Sequence, residues 1–167
     1  MDLYDTTVPP LMRLTEAMPR ILGRLDCNDA PLRTRLASDS FDAGEHLSVA
    51  LGFVPRTVLP LIGKAVPERP LAQGRAELLA QTKIDQTLLS NLTREGFNGS
   101  ENRMIDHVAG QTTLRQSATD YALLFALPNA TFHLAMGYAT LRLAGVPLTK
   151  GDFDGFHHYP PDFRFED

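Results

Sequence analysis

Two polar side chains, Asn129 and His133, lie four residues apart in an otherwise apolar stretch of the chain. Positions i and i+4 of a helix share a face, so the spacing predicts that the amide and the imidazole point the same way. Pro128, just before the pair, has no backbone N–H and pushes against the carbonyl group of Leu124, which predicts a bend or a locally opened turn. Side by side, the two groups can hydrogen bond a ligand. Alternatively, His133 is a core histidine bonded to Asn129 or to a carbonyl group freed by the proline.

The other residues with reactive side chains give weaker signals. Cys27 has aspartates close by, and an acidic setting disfavours the thiolate, so we do not expect a nucleophile there. His107, His157 and His158 are expected to be solvated, although the adjacent pair could bind metal non-specifically. The sequence has no Ser/His/Asp signature, no glycine-rich phosphate loop and no Cys-x-x-Cys motif.

The longest amphipathic stretch, residues 117–143, must position the Asn129–His133 pair. Ser117 and Asp120 are typical of a helix start, because the hydroxyl can cap free amides and an early carboxylate complements the helix dipole. Apolar residues then recur at helical spacing. We predict that they face the core as one stripe: Tyr121, Leu124, Phe125, Pro128, Phe132, Ala135, Met136, Ala139 and Leu143. The Gly-Val-Pro run that begins at residue 145 is expected to end this helix.

Three further helices are predicted before this one. The first spans about residues 7–26 and starts with prolines, which are tolerated in a first turn. The second begins near residue 42, and Pro55 and Pro60 are expected to bend it or end it early. Its predicted core face consists of His46, Ala50, Phe53, Thr57 and Leu61. The third helix spans about residues 72–92.

Extended segments connect these helices. Residues 63–71 can reach roughly 26 to 30 Å, the length of a ~20-residue helix, so they can return the chain to the starting end of the bundle. The third helix would then be parallel to the second. Residues 105–114 hold short β-favouring runs around a glycine, which predicts a small hairpin packed against the helices. The chain after residue 145 is predicted to be non-helical, and its aromatic tail, about residues 152–167, to pack on the bundle or on a second subunit.

Length and composition favour a single domain over residues 1–167. A chain of 167 residues can bury roughly 70% of the surface that its unfolded form exposes. One cysteine cannot form an internal disulfide, the N-terminus lacks a signal-peptide pattern, and no apolar run approaches the ~20 residues of a membrane span. A net charge of −4 without a Lys/Arg cluster argues against a nucleic-acid partner. We therefore expect a soluble, cytoplasmic protein with neither a nucleic-acid nor a membrane partner.

The run DYALLFALPNATFHLAMGYATLRLAGVPLTKGDF resembles the C-terminal part of the DinB/YfiT-like superfamily. It is similar to an uncharacterised domain-of-unknown-function branch, family nineteen-ninety-three, in which an LPN element precedes Phe-His and the helix closes on Gly-Val-Pro-Leu. The similarity extends through GFNGSENRMI, RAELLAQTKI and LYDTTVPPLMRLTEAMPRIL, whereas the final FHHYPPDFRFED lies beyond it. The resemblance implies an all-α four-helix bundle of up-down-down-up type and a homodimer. The predicted hairpin would lie between its third and fourth helices.

The wider superfamily resembles a set of metal-binding bundles with one histidine in the second helix and an HxxxH pair in the fourth. The resemblance puts the first histidine at His46 and the pair at Asn129 and His133, so the pair has become NxxxH. An asparagine oxygen is a poor third zinc ligand, and we do not expect tight zinc binding unless a carboxylate such as Asp106 completes the site. The predicted metal ligands are His46 and His133, and the predicted pocket adds Asn129, Asp106 and Tyr121.

Three functions stay open on the sequence. The protein could be a homodimeric bundle without a strong metal site, whose polar pocket binds a small molecule. It could instead be a metal- or thiol-dependent transferase or isomerase, in which His46 and His133 hold zinc or nickel and a metal-bound water or thiol reacts. A third hypothesis is a structural protein that binds a partner through its aromatic tail. The sequence identifies no substrate.

Overall fold

The computed structural model describes residues 2–26, 28–160 and 163, and it is mainly helical with one two-stranded hairpin. Cys27 and the end of the aromatic tail lie outside the described residues. The helices and strands are α1 (Leu3–Leu22), α2 (Ala43–Leu61), α3 (Arg75–Ser90), β1 (Met104–Ala109), β2 (Thr112–Ser117), α4 (Ala118–Asp120), α5 (Leu127–Leu143) and α6 (Lys150–Asp154). A π-helical segment, Tyr121–Ala126, joins α4 to α5. The predicted four long helices are therefore α1, α2, α3 and the run from α4 to α5, with the hairpin before the last.

Helix α1 begins earlier than predicted. The side chain of Asp2 accepts a hydrogen bond from the N–H of Tyr4 at 2.8 Å and caps the helix at Leu3. Pro9 and Pro10 consequently lie inside the helix rather than in its first turn. Both prolines are exposed, so water can reach the carbonyl groups that they leave without a donor.

Helix α2 is the central helix of the core. It starts as predicted at Asp42, which forms a capping box with Glu45 through two hydrogen bonds of 2.8 Å. The predicted early end at Pro55 or Pro60 is wrong, since the helix runs through both to Leu61. All members of its predicted core face are buried: His46, Ala50, Phe53, Thr57 and Leu61.

The prediction that one apolar stripe of α5 faces the core is wrong, because most of this stripe faces outward. Leu124, Phe132 and Leu143 are 71%, 54% and 62% exposed. The buried face carries Ala130, Leu134, Gly137, Thr140 and Leu141 instead. Apolar residues occur on both sides of this helix, so their periodicity does not decide which side is buried. The opened turn expected at Pro128 is present as the π-helical segment just before it, and this segment also shifts the helical phase.

The hairpin and the C-terminal segment complete the structure. β1 and β2 pair antiparallel from Met104–Ser117 to Ala109–Thr112, around Gly110 with φ +61°. The prediction of a non-helical C-terminal segment is wrong at α6, where Thr149 and Asp152 form a capping box. No helix in the described part of the chain is long and apolar enough to span a bilayer.

Candidate functional site

Helices α2 and α5 cross closely and run antiparallel. Near the start of α2, Leu47 lies against Gly137, where a Cβ atom would come within 2.7 Å of a Leu47 methyl carbon. Further along α2, Phe53 contacts Phe125 of the π-helical segment, with ring centroids 5.9 Å apart. This order of contacts brings the first turn of α2 beside the middle of α5.

The crossing brings two distant histidines together. His46 Nδ1 lies 3.0 Å from His133 Nδ1, which is a hydrogen-bond distance. Such a bond needs a proton on one ring and a lone pair on the other, so in the neutral pair one Nε2 atom is a donor and the other is an acceptor. His46 is only 3% exposed, and its Nε2 atom is buried without a partner among the described residues. His133 is half-buried and reaches the surface pocket described below.

Burial keeps both imidazoles uncharged at neutral pH. Burial, together with the neighbouring His46 and Arg56, lowers the pKa of His133 to about 4. Burial also lowers the pKa of His46, although the carboxylates of Asp42 and Glu45 oppose that change. The pair is therefore a neutral hydrogen-bonded unit rather than a cationic one.

Aromatic rings surround the imidazole pair. Phe53 stacks on His133 from the core side, with centroids 6.1 Å apart. Phe41 and Phe132 approach His46 edge-on at 5.6 and 6.2 Å. Because Phe41 and Phe132 are also partly exposed, they form apolar walls on the solvent side of the pair.

An open pocket of about 530 Å³, which we call the imidazole pocket, lies on this side. Its lining consists of Arg35, Ser38, Asp39, Ser40, Phe41, Glu45, His46, Phe132, His133 and Met136. Arg35 and Glu45 form an ion pair of 3.0 Å at its edge. These two charges thus neutralise each other, and Asp39, the other charged residue of the lining, is exposed to water, which screens its charge. The walls beside the imidazoles are apolar.

The remaining predicted pocket residues lie elsewhere. The Asn129 side chain donates a hydrogen bond of 2.7 Å to the carbonyl oxygen of Phe125, and His133 is bonded to His46 rather than to Asn129. Asp106 and Tyr121 line a different cleft, next to the hairpin. The structure therefore brings two of the five predicted residues together and separates the other three from them.

The donor set does not fit a tightly held zinc or nickel ion. The pair offers two nitrogen atoms, whereas structural zinc sites use four protein ligands and catalytic sites use three. Asp106 is not in this pocket, and the Glu45 carboxylate already accepts bonds from Arg35 and from the backbone N–H of Asp42. Across residues 2–26, 28–160 and 163, no group of three or more His, Cys, Asp or Glu side chains is placed to hold a metal ion.

Sequence reasoning missed the walls of the imidazole pocket. Phe132 was assigned to the core because it follows the apolar period of α5, and Phe41 lies in a connection whose path no periodic pattern predicts. The sequence signal that could have revealed them is the presence of apolar residues on both sides of α5. This pattern shows that some large apolar side chains must stay outside.

Comparisons with known proteins agree with this fold. A family model described as Domain of unknown function (DUF1993) matches residues 3–154. The crystal structure of a DinB family member protein from Shewanella denitrificans is similar to this chain, with a TM-score of 0.77 and 24% sequence identity over 95% of this chain and 94% of that chain. At this identity the likeness concerns the fold alone. A comparison with curated proteins found no match. The resemblance predicted from the sequence and the helical fold with its hairpin are confirmed.

Proposed function

The chain belongs to the DUF1993 family and has a DinB-like fold, and we propose that it binds a small, uncharged organic molecule in the imidazole pocket. The observation that carries this proposal is the part-buried His46–His133 hydrogen bond of 3.0 Å at the wall of an open, largely apolar pocket. Small-molecule sites combine apolar walls with a few fixed polar groups, and this pocket has both.

The protonation state of the pair favours binding over proton transfer. A general base is most effective when its pKa lies near the working pH. The pKa of His133 is lowered to about 4, and that of His46 is also lowered, so each ring is a weak base at neutral pH. The neutral His133 ring can still donate or accept a ligand's hydrogen bond through Nε2.

The pocket walls indicate the kind of ligand. Phe41, Phe132 and Met136 provide apolar contact, and the Arg35–Glu45 ion pair leaves neither charge free for a ligand charge. An apolar body with one hydrogen-bonding group, such as an alcohol, matches these features. A metal- or thiol-dependent transferase is less well supported, because the pair supplies two nitrogen donors and a catalytic metal site usually has three protein ligands.

A titration with benzyl alcohol tests this proposal, with NMR detection of backbone amide and imidazole signals. We expect shifts confined to residues around the pocket, such as Phe41, His133 and Met136. His133→Leu should weaken binding by about three- to tenfold, the worth of a neutral hydrogen bond. His158→Leu, on the exposed tail, is the matched control and should bind like the natural protein. Equal binding by His133→Leu, or shifts elsewhere, would contradict the proposal.

We also propose that the protein is a homodimer that pairs through the outer face of α5. This face carries apolar side chains at helical spacing: Leu124, Pro128, Phe132, Ala135, Ala139 and Leu143, all exposed in the single chain. A continuous apolar face on a helix usually has a partner. Phe132 belongs both to this face and to the imidazole pocket, so the second copy would border the pocket.

A further inference from the structure

A second cleft lies beside the hairpin, about 470 Å³ in volume. We call it the hairpin cleft. Its lining residues come from helix α2, the connection 66–71 and strand β1, together with Tyr121. Pro55, Pro60, Pro67 and Pro70 make much of its wall apolar. It shares no lining residue with the imidazole pocket.

The cleft contains a guanidinium group whose charge is not compensated. The Cζ atom of Arg56 lies 4.5 Å from the ring centroid of Phe53, so the phenyl ring holds the guanidinium in place through a cation–π contact. Within the described residues, Arg56 forms no ion pair and no side-chain hydrogen bond. Arg69, the other arginine of the cleft, makes two hydrogen bonds of 2.6 and 2.8 Å to the buried carboxylate of Asp85 and is neutralised.

The carboxylates near the cleft do not neutralise Arg56. Glu68 and Asp106 line its rim, and both are exposed to water, which screens their charge. Asp106 is in addition 3.8 Å from Arg115 on the facing strand. Among the described residues of the cleft, the guanidinium of Arg56 is therefore the uncompensated positive charge, and apolar side chains surround it.

His107 adds a second polar atom without a partner. Its Nε2 atom lies 2.7 Å from Gln116 Oε1, and its Nδ1 atom is buried without a hydrogen bond among the described residues. When Nε2–H donates to Gln116, Nδ1 keeps a lone pair and is an acceptor. Contacts with Phe125 and Tyr121, at 4.2 and 4.8 Å between centroids, fix the orientation of the ring. A buried acceptor of this kind normally has a donor.

Gly52 leaves free space on the side of the hairpin cleft that α2 forms. A Cβ atom at this position would meet nothing within 4 Å, so packing does not require glycine here. Glycine is a poor helix former, yet it occurs in the middle of α2 where alanine would fit. Its effect in this position is to leave space above the helix backbone.

We propose that the hairpin cleft binds a small organic carboxylate with an apolar body. The guanidinium of Arg56 lies over the Phe53 ring and has no ion pair or side-chain hydrogen bond among the described residues, so its N–H groups can bind the two oxygens of a carboxylate. The ring of His107 lines the cleft beside the ligand, and the proline-rich walls contact the apolar body. This site shares no lining residue with the imidazole pocket, although Phe53 contacts both Arg56 and His133, and it takes a charged ligand rather than a neutral one.

A titration of the whole protein with 4-hydroxybenzoate tests the proposal by NMR. We expect shifts at Gly52, Arg56 and His107, and no shifts there with benzyl alcohol, which lacks the carboxylate. Arg56→Gln should weaken binding by about tenfold or more, the loss of a charged hydrogen-bond pair. Arg142→Gln removes the same charge from the exposed end of α5 and should have no effect.

Filling the cleft gives a second readout that does not depend on Arg56. Gly52→Leu should abolish the 4-hydroxybenzoate shifts, while Ala80→Leu, which puts the same side chain on the exposed face of α3, should preserve them. Thermal unfolding of each variant establishes that it is folded. Absence of binding by the natural protein, or binding that survives Gly52→Leu or Arg56→Gln, would overturn the proposal.

Discussion

His46 and His133 link protonation to stability, because burial lowers the pKa of each ring below the ordinary 6.5. In the unfolded chain both rings regain the ordinary pKa. Between pH 6.5 and a pH near 4, the unfolded state therefore binds more protons than the folded state. The free energy of unfolding accordingly falls as the pH drops through this window, and it is insensitive to these two groups above it.

Replacing His133 should reduce this pH dependence. His133→Phe removes the group with the largest downward pKa change, so the loss of unfolding free energy between neutral pH and pH 4 should shrink by on the order of 2 to 3 kcal/mol. Urea denaturation at several pH values measures the effect. His158→Phe, on the exposed tail, is the control and should leave the slope as it is. An unchanged slope in His133→Phe would show that His133 is not a buried neutral ring.

The two-nitrogen donor set also predicts the metal content. Protein purified without a histidine tag should contain zinc and nickel far below one equivalent, because the pair lacks a third strong ligand. Elemental analysis measures this directly. A near-stoichiometric metal that disappears in His46→Ala and His133→Ala would favour the enzyme hypothesis instead.

At the scale of elements, the crossing of α2 and α5 positions the imidazole pair. Gly137 permits this crossing, since a Cβ atom there would lie 2.7 Å from a Leu47 methyl carbon and 3.2 Å from the carbonyl oxygen of Ala43. The close approach puts the first turn of α2 beside His133. The distance between the imidazoles thus depends on the absence of a side chain one turn away.

A methyl group at this crossing should therefore force the helices apart. We expect Gly137→Ala to lower the free energy of unfolding by about 1 to 3 kcal/mol, the usual cost of overpacking. The better helix propensity of alanine offsets only part of that cost. Gly52→Ala is the matched control on α2 and should be neutral or stabilise by about 0.5 to 1 kcal/mol, since nothing lies near its Cβ position. Chemical denaturation compares the two variants, and equal effects would contradict the steric account.

Local sequence signals predicted where the helices and strands lie better than they predicted which faces of these elements are buried. Asp42 and Ser117 were recognised as helix starts because their caps depend on a few neighbouring residues. The buried side of α5 was predicted wrongly because apolar residues occupy both of its sides. Helix α6 was missed because the capping box of Thr149 and Asp152 lies in a run that reads as an irregular tail.

Local sequence signals predicted less of the candidate site than of the fold. The pairing of His46 with His133 came from the family resemblance, since the two residues are far apart in sequence and no spacing rule connects them. The walls at Phe41 and Phe132 depend on the path of a connection and on the direction of a helix face. Asp106 and Tyr121 line another cleft because the placement of the hairpin decides where Asp106 points and the π-helical segment shifts the phase at Tyr121, and the sequence does not encode either locally.

At the scale of the whole molecule, the outer face of α5 determines the proposed assembly. Pro128, Phe132, Ala135, Ala139 and Leu143 follow one another at steps of three or four residues over ~22 Å of helix. Small residues at the centre of the face would let two copies approach closely. A two-fold interface brings the same face of both subunits together, and an apolar face can pack on its own copy in this way.

A charge at the centre of this face should separate the subunits. Ala139→Glu would bury two carboxylates against apolar side chains in the dimer, and we expect it to convert the protein to a monomer. Light scattering after size-exclusion chromatography gives the mass. Ala80→Glu on the exposed face of α3 is the control and should remain a dimer. A monomeric natural protein, or a dimer that survives Ala139→Glu, would rule out this interface.

The most direct test of the neutral imidazole pair is ¹⁵N NMR of the His46 and His133 ring nitrogens during a pH titration. We predict scalar coupling between the two Nδ1 atoms, which lie 3.0 Å apart, and neutral rings whose pKa values lie below 6.5, with that of His133 near 4. Two uncoupled rings that titrate independently near pH 6.5 would contradict it.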